Sequence, residues 1–194
     1  MSEWHELWVE GPEKAVRAFV AGFLTGRGAA GGAIFGADHA LDPESLGERL
    51  KELFGTGAHH VVLVAEPLAG ALAEVLAARG SEVGLRLERR RAIDSASFPF
   101  RVETFSRALA REIRAALLEA LPPTVTVEGL AESEETHPDA HGPEPFAPLH
   151  EYTYRASGRI TGQLPDVLEI RRRARERDFV EVGALRLEGR MLPQ

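Results

Sequence analysis

The segment from Glu135 to His150 collects side chains that could bind a metal ion. It holds three of the chain's seven histidines, His137, His141 and His150, with Asp139 among them. Neutral imidazoles and carboxylates are groups that zinc, iron or manganese accept as ligands. A helical turn would place His137 and His141 on one face. These four residues are the candidate ligands of a divalent metal ion, the cofactor that the sequence suggests.

The same segment can also be interpreted as a solvated loop that contacts a partner. Four prolines favour an extended, irregular backbone, and no HExxH or comparable metal-binding spacing occurs there. A loop stiffened by proline loses less conformational entropy when it docks. Phe146 could then anchor the loop to its own domain or to a second subunit.

Acidic residues are concentrated in one part of the chain. The net charge is −7, from 23 basic and 30 acidic residues, and residues 115–154 contain eight carboxylates but no lysine or arginine. Such a field repels nucleic acid and attracts cations or basic partners. Because the chain has no cysteine, disulfides, thiolate metal sites and cysteine nucleophiles are excluded.

Two further regions are candidate binding sites. Glu66 follows an apolar strand and precedes a helix, a position that often holds ligands in α/β folds. A carboxylate there also simply stabilises the helix N-terminus. Arg171, Arg172 and Arg175 lie in a predicted helix and can share one flank. They could pair with acidic residues of the same or a neighbouring chain, or contact nucleic acid.

The remaining motifs point to no catalytic chemistry. Gly26 to Gly31 matches G-x-G-x-x-G, but these glycines end a helix and precede a strand, which is the reverse of a dinucleotide-binding loop. His59 and His60 are adjacent on a strand, so their side chains point to opposite faces. The sequence contains no nucleophile elbow, P-loop or Ser-x-x-Lys motif.

Hydrophobic periodicity predicts the elements that position these residues. In the first half, strands are predicted at Trp4–Glu10, in the continuous apolar run from His60 to Ala65, and around Val83 to Leu87. Helices end at Gly26 and Gly80. An additional helix is predicted from residue 42 to residue 54.

From Phe98 onward the predicted order is strand, helix, strand, strand, helix, strand, with a last strand from Val180 to Leu187. This is the order of a ferredoxin-like sandwich. We therefore expect an α+β protein of ferredoxin-like βαββαβ units, either single or in tandem, with helices on one face of an antiparallel or mixed sheet. The expected halves are 1–94 and 95–194, unless they form one continuous domain. The strands starting at Val125 and Tyr152 should pair, with the acidic loop as their hairpin tip.

These observations favour a non-enzymatic, cytoplasmic bacterial protein that binds a small molecule or a protein partner, as a homodimer. One alternative is a metal-dependent enzyme with its site in residues 135–150. A second is nucleic-acid binding through Arg171–Arg177, which the acidic charge and the lack of interleaved aromatic residues disfavour. No stretch has the roughly 20 apolar residues of a membrane span. The start, MSEWHELWVEG, does not resemble a signal peptide.

Overall fold

The computed structural model describes residues 3–36, 59–119, 121–136 and 152–193. A short 3₁₀ helix, Gly80–Val83, lies between two of the larger elements. Those larger elements, in chain order, are β1 (Trp4–Glu10), α1 (Glu13–Gly26), β2 (Ala33–Phe35), β3 (His59–Ala65), α2 (Leu68–Arg79), β4 (Arg86–Thr104), α3 (Arg107–Glu119), β5 (Thr126–Thr136), β6 (Tyr152–Gly162), α4 (Leu164–Arg175), β7 (Val180–Val182) and β8 (Arg186–Met191).

The α+β class predicted from the sequence is confirmed. The described residues form an antiparallel eight-stranded sheet and four α-helices. The chain divides into two compact units, residues 1–95 with 184–194, and residues 96–183. Because β4 crosses this boundary, its first part belongs to the first unit and its second part to the second. None of the helices in the described ranges is long and apolar enough to span a membrane.

In the first unit the strand order is β2–β3–β1–β4, with each neighbouring pair antiparallel. The register places Leu7 of β1 opposite Val62 of β3 and opposite Arg90 of β4. The apolar run in β3 is a buried strand as predicted, since Val62, Leu63 and Val64 have no exposed surface.

Apolar stripes on two helices complete the core of this unit. In α1, the buried residues Val16, Val20 and Leu24 lie on one side, because positions four apart share a helix face. Each buried Leu or Val side chain contributes roughly 1.5–3 kcal/mol of transfer free energy. The central members of the cluster are Leu7, Val9, Val16, Val20, Leu24, Val62, Val64, Leu72 and Leu76.

The prediction of a separate strand around Val83 to Leu87 is wrong. Residues Gly80–Val83 form a 3₁₀ helix, and Gly84 then adopts a left-handed conformation with φ of 71°. The next strand, β4, starts at Arg86 and continues for 19 residues. The apolar pattern does not predict the full length of β4, because Arg89–Arg91 interrupt it. These arginines nevertheless pair with β1 in the sheet.

In the second unit the strand order is β5–β6–β4–β7, again with antiparallel neighbours. The predicted alternation in β4 is confirmed, because Phe98, Phe100 and Val102 are buried. The predicted pairing of β5 with β6 is also confirmed, since Thr136 lies opposite Tyr152 at one end of the hairpin.

The prediction of one last strand from Val180 to Leu187 is wrong, since two short strands occupy this region. β7 belongs to the second unit and β8 to the first. Between them, the Gly183 N–H donates to the Pro99 carbonyl at 2.8 Å. A Cβ at Gly183 would lie 2.6 Å from Pro99 Cγ, so only glycine allows this close approach.

Two glycine substitutions in the first unit should have opposite effects on stability. Gly22 lies within α1 with no atom near its missing Cβ, so Gly22→Ala should raise the unfolding free energy by about 0.5–1 kcal/mol. At Gly189 in β8, a Cβ would overlap the Ala92 carbonyl oxygen. Gly189→Ala should therefore lower the unfolding free energy by about 1–3 kcal/mol. Urea unfolding measures both changes, and a stabilised Gly189→Ala variant would contradict the packing of β8.

Candidate functional site

The predicted metal ligands His137, Asp139, His141 and His150, and the predicted contact residue Phe146, lie outside the described residues. These assignments stay predictions. Within the described ranges, no group of three or more histidine, aspartate or glutamate side chains could hold a metal ion.

A groove in the second unit brings charged side chains together. It lies where α3 faces the β5–β6 hairpin and encloses a cavity of about 270 Å³. We call it the hairpin groove. It is defined by Arg107, Ala110 and Arg111 of α3, Glu132, Ser133 and Glu134 of β5, and Tyr154, Arg155 and Ala156 of β6.

The local structure explains why these residues converge. Arg107 and Arg111 are four residues apart on α3, so they lie on one side of the helix. Glu132 and Glu134 are two apart on β5, so both side chains point to the same face of the sheet. The register then puts Glu134 opposite Tyr154 on β6.

Each arginine of the groove is paired with a glutamate. Arg107 Nη2 donates to Glu134, and its guanidinium lies 5.4 Å from the centre of the Tyr154 ring. Arg111 Nη2 donates to Glu132 at 2.8 Å, and Arg114 Nη2 donates to the same carboxylate at 2.6 Å. The groove therefore brings arginines and glutamates together beside an aromatic ring.

The pair of Arg111 with Glu132 remains charged at neutral pH. The hydrogen bonds from Arg111 and Arg114 hold the pKa of Glu132 below its usual range, with Arg111 the larger cause. In return, Glu132 raises the pKa of Arg111. The side chains of Arg111 and Glu132 are 57% and 35% exposed, so solvent screens the attraction and each pair contributes little to stability.

A second row of ion pairs crosses the opposite face of the hairpin. Arg155 of β6 donates to Glu103 at 2.6 Å and to Glu135 of β5 at 2.5 Å. Arg101 of β4 donates to Glu181 of β7. The carboxylates of β5 thus lie beside arginines from α3 and β6. The sequence of residues 115–154 suggests a strong negative field because it contains no arginine. The arginines of α3 and Arg155 lie outside that range and pair with its carboxylates, which reduces the field.

Glu66 precedes the first residue of α2 by two positions, and its carboxylate is bonded within the first unit. It accepts the Gly70 N–H at 3.0 Å and forms an ion pair with Arg90. This contact stabilises the helix N-terminus, which is the structural interpretation of Glu66. A ligand role for Glu66 would require these two contacts to open.

His5 is the neighbour of Glu66 that sequence reasoning missed. Its side chain is only 3% exposed, and its Nδ1 accepts a hydrogen bond from Arg90 Nε at 2.8 Å. Its Nε2 makes no hydrogen bond within the described residues and lies 3.8 Å from a Glu3 carboxylate oxygen. Burial, followed by repulsion from Arg90, lowers the pKa of His5 despite the opposing charges of Glu66 and Glu3. No sequence pattern signals this contact, because Arg90 is 85 residues away.

The three arginines predicted to share a flank of α4 do not have the same environment. Arg171 is buried, and its guanidinium donates to the Gly183 carbonyl at 3.0 and 3.3 Å. Burial lowers the pKa of Arg171 to about 10. Arg172 is exposed and pairs with Glu169 and Glu176, while Arg175 is also exposed. The side chain of Arg171 therefore packs inside the unit, whereas Arg172 and Arg175 face solvent.

No family model matches the chain, and no curated protein matches it. Among solved structures, the crystal structure of an unknown protein from Galdieria sulphuraria is 14% identical and is matched over 100% of both chains, with a TM-score of 0.30. A likeness this distant says nothing about what the chain binds.

Acid should destabilise the first unit through His5. Because folding lowers the pKa of His5 below 6.5, the unfolded chain binds more protons between the folded and unfolded pKa values. The free energy of unfolding should therefore fall as the pH drops from 6.5 towards the folded pKa, and this contribution should be fully present above that range. Urea unfolding at about pH 8 and about pH 5 measures the loss.

Two variants separate His5 from other titrating groups. His5→Gln keeps an acceptor for Arg90 but no titrating proton, so its loss of stability over this range should be smaller than that of the wild type. His60→Gln, at another histidine of the same unit, should keep the full loss. Equal losses in the wild type and His5→Gln would contradict the role of His5.

Proposed function

We propose that the protein is a non-enzymatic module that binds a small molecule in the hairpin groove. The observation that carries this proposal is the presence of arginines, glutamates and an aromatic ring around one cavity of about 270 Å³. A concave site with a few convergent polar groups is the default candidate for ligand binding.

The energetics of the groove support this proposal. Arg107 is 58% exposed and Glu134 is 33% exposed, so their ion pair is screened by solvent. A ligand that replaces such a pair loses little intramolecular energy and gains its own contacts. The apolar side chains of Ala110 and Ala156 are buried beside these charges and give the groove an apolar surface.

A panel of chemically distinct probes tests this proposal. Thermal unfolding with glucose, adenosine, citrate, spermidine or L-phenylalanine should show a higher melting temperature with at least one probe. A ligand at roughly 100 times its Kd stabilises by about 2.7 kcal/mol. Arg111→Ala should abolish the shift, because Arg111 lines the groove.

Arg173→Ala provides the matched control. Arg173 is 55% exposed and pairs with Glu169, much as Arg111 is 57% exposed and pairs with Glu132, but it lies on α4 away from the groove. The shift should survive in this variant. If no probe shifts the melting temperature, or if both variants behave alike, the groove is not the binding site.

We also propose that both units are ferredoxin-like sandwiches. In the second unit, the element order β4, α3, β5, β6, α4, β7 and the strand order β5–β6–β4–β7 support this proposal. In the first unit, the strand order β2–β3–β1–β4 supports the same arrangement. The additional helix predicted from residue 42 to residue 54 lies outside the described residues.

The metal-dependent enzyme is the second candidate function. The pairing of Thr136 with Tyr152 favours it, because the chain leaves and re-enters the hairpin at adjacent positions. His137 follows Thr136 directly, and His150 precedes Tyr152 by two residues. A short distance between the ends of a segment makes it easier for its histidines to share one ion.

Metal analysis of the purified protein tests this second function. It predicts about one zinc, iron or manganese ion per chain, which should be lost in a variant carrying both His137→Ala and His141→Ala. A metal-free protein whose melting temperature does not change when these ions are added would exclude the enzyme.

A further inference from the structure

We infer that the ligand of the hairpin groove is a small zwitterion with one carboxylate, one cationic nitrogen and an apolar body. This inference rests on the proposed function, since it names the chemical class that the same groove would bind. It depends on the signs of the charges in the groove, on their present pairing and on the apolar surface between them.

The pairing of the charges selects a ligand that carries both signs. Arg107 is bonded to Glu134, whereas Glu132 is shared by Arg111 and Arg114. An anion that enters the Arg107–Glu134 pair satisfies the arginine but leaves the glutamate facing a second negative charge. A cation that enters the pair satisfies the glutamate but leaves the arginine facing a second positive charge. A zwitterion replaces both members of a pair at once, so no charge is left without an opposite neighbour.

The N-terminus of α3 and the carboxylates of β5 set the orientation of the bound zwitterion. Arg107 is the first residue of α3, where the helix dipole adds partial positive charge. A carboxylate is therefore more stable at the Arg107 end of the groove. Glu132 and Glu134 project from β5 across from the helix, so the cationic nitrogen is more stable on the strand side.

The surface between the charges suits an apolar body. Ala110 is 3% exposed and Ala156 is 1% exposed, and both line the cavity. The Tyr154 ring adds an aromatic wall, which already has the Arg107 guanidinium over it. A cavity of about 270 Å³ is small, which limits the ligand to a single compact molecule.

Titration calorimetry with matched probes tests the inference. L-Phenylalanine is compared with hydrocinnamate, which lacks the ammonium group, and with phenethylamine, which lacks the carboxylate. A second set, γ-aminobutyrate with butyrate and propylamine, has a different separation of the two charges. At least one zwitterion should bind at least about tenfold more tightly than both of its singly charged analogues.

Two variants link this preference to the groove. Arg107→Gln and Glu134→Gln should each weaken the bound zwitterion by about tenfold, since each removes one of the two charged contacts. Arg101→Gln and Glu181→Gln change an exposed ion pair on the opposite face of the same sheet and should leave the affinity unchanged. Circular dichroism of all four variants verifies that they fold.

The outcomes separate this inference from the proposed function. If a singly charged analogue binds as tightly as its zwitterion, and Arg107→Gln weakens it, the groove binds ligands but the inferred class is wrong. If only glucose, adenosine, citrate or spermidine binds in an Arg111-dependent way, the inferred class is again wrong. If no probe of either panel binds, the proposed function itself fails.

Discussion

The register of β5 against β6 is the constraint on which the candidate site depends. It sets Glu132 opposite Ala156 and Glu134 opposite Tyr154, so both glutamates face the arginines of α3. A slip of one residue would turn every side chain of β5 to the other face. The bulge between Glu128 and Ala131, where Gly129 has φ of 59°, fixes this alignment along the hairpin.

This register also determines how the acidic segment interacts with the rest of the second unit. Glu132 and Glu134 point to α3 and meet Arg111 and Arg107. Glu135 points to the other face and meets Arg155 of β6. The alternation of a strand thus divides one acidic run between two sets of arginines. On one face the result is a groove of mixed charge, and on the other it is a row of exposed ion pairs.

Local patterns predicted much of the fold because they are encoded by neighbouring residues. The apolar run of β3, the alternation in β4 after Phe98 and the pairing of β5 with β6 follow from side-chain periodicity. The extent of β4 and the separation of β7 from β8 did not follow from it. In β4, arginines interrupt the apolar pattern, and between β7 and β8 the contact of Gly183 with Pro99 divides the chain.

The candidate site could not be predicted, because its contacts join residues distant in sequence. The charge count of residues 115–154 includes neither Arg111 nor Arg107, although both neutralise glutamates of that segment. Measurement of nuclear Overhauser effects across the hairpin is the most direct test of this account. It predicts cross-strand contacts between backbone protons of Glu134 and Tyr154. Contacts that instead pair Ser133 with Tyr154 would contradict the register and remove the groove.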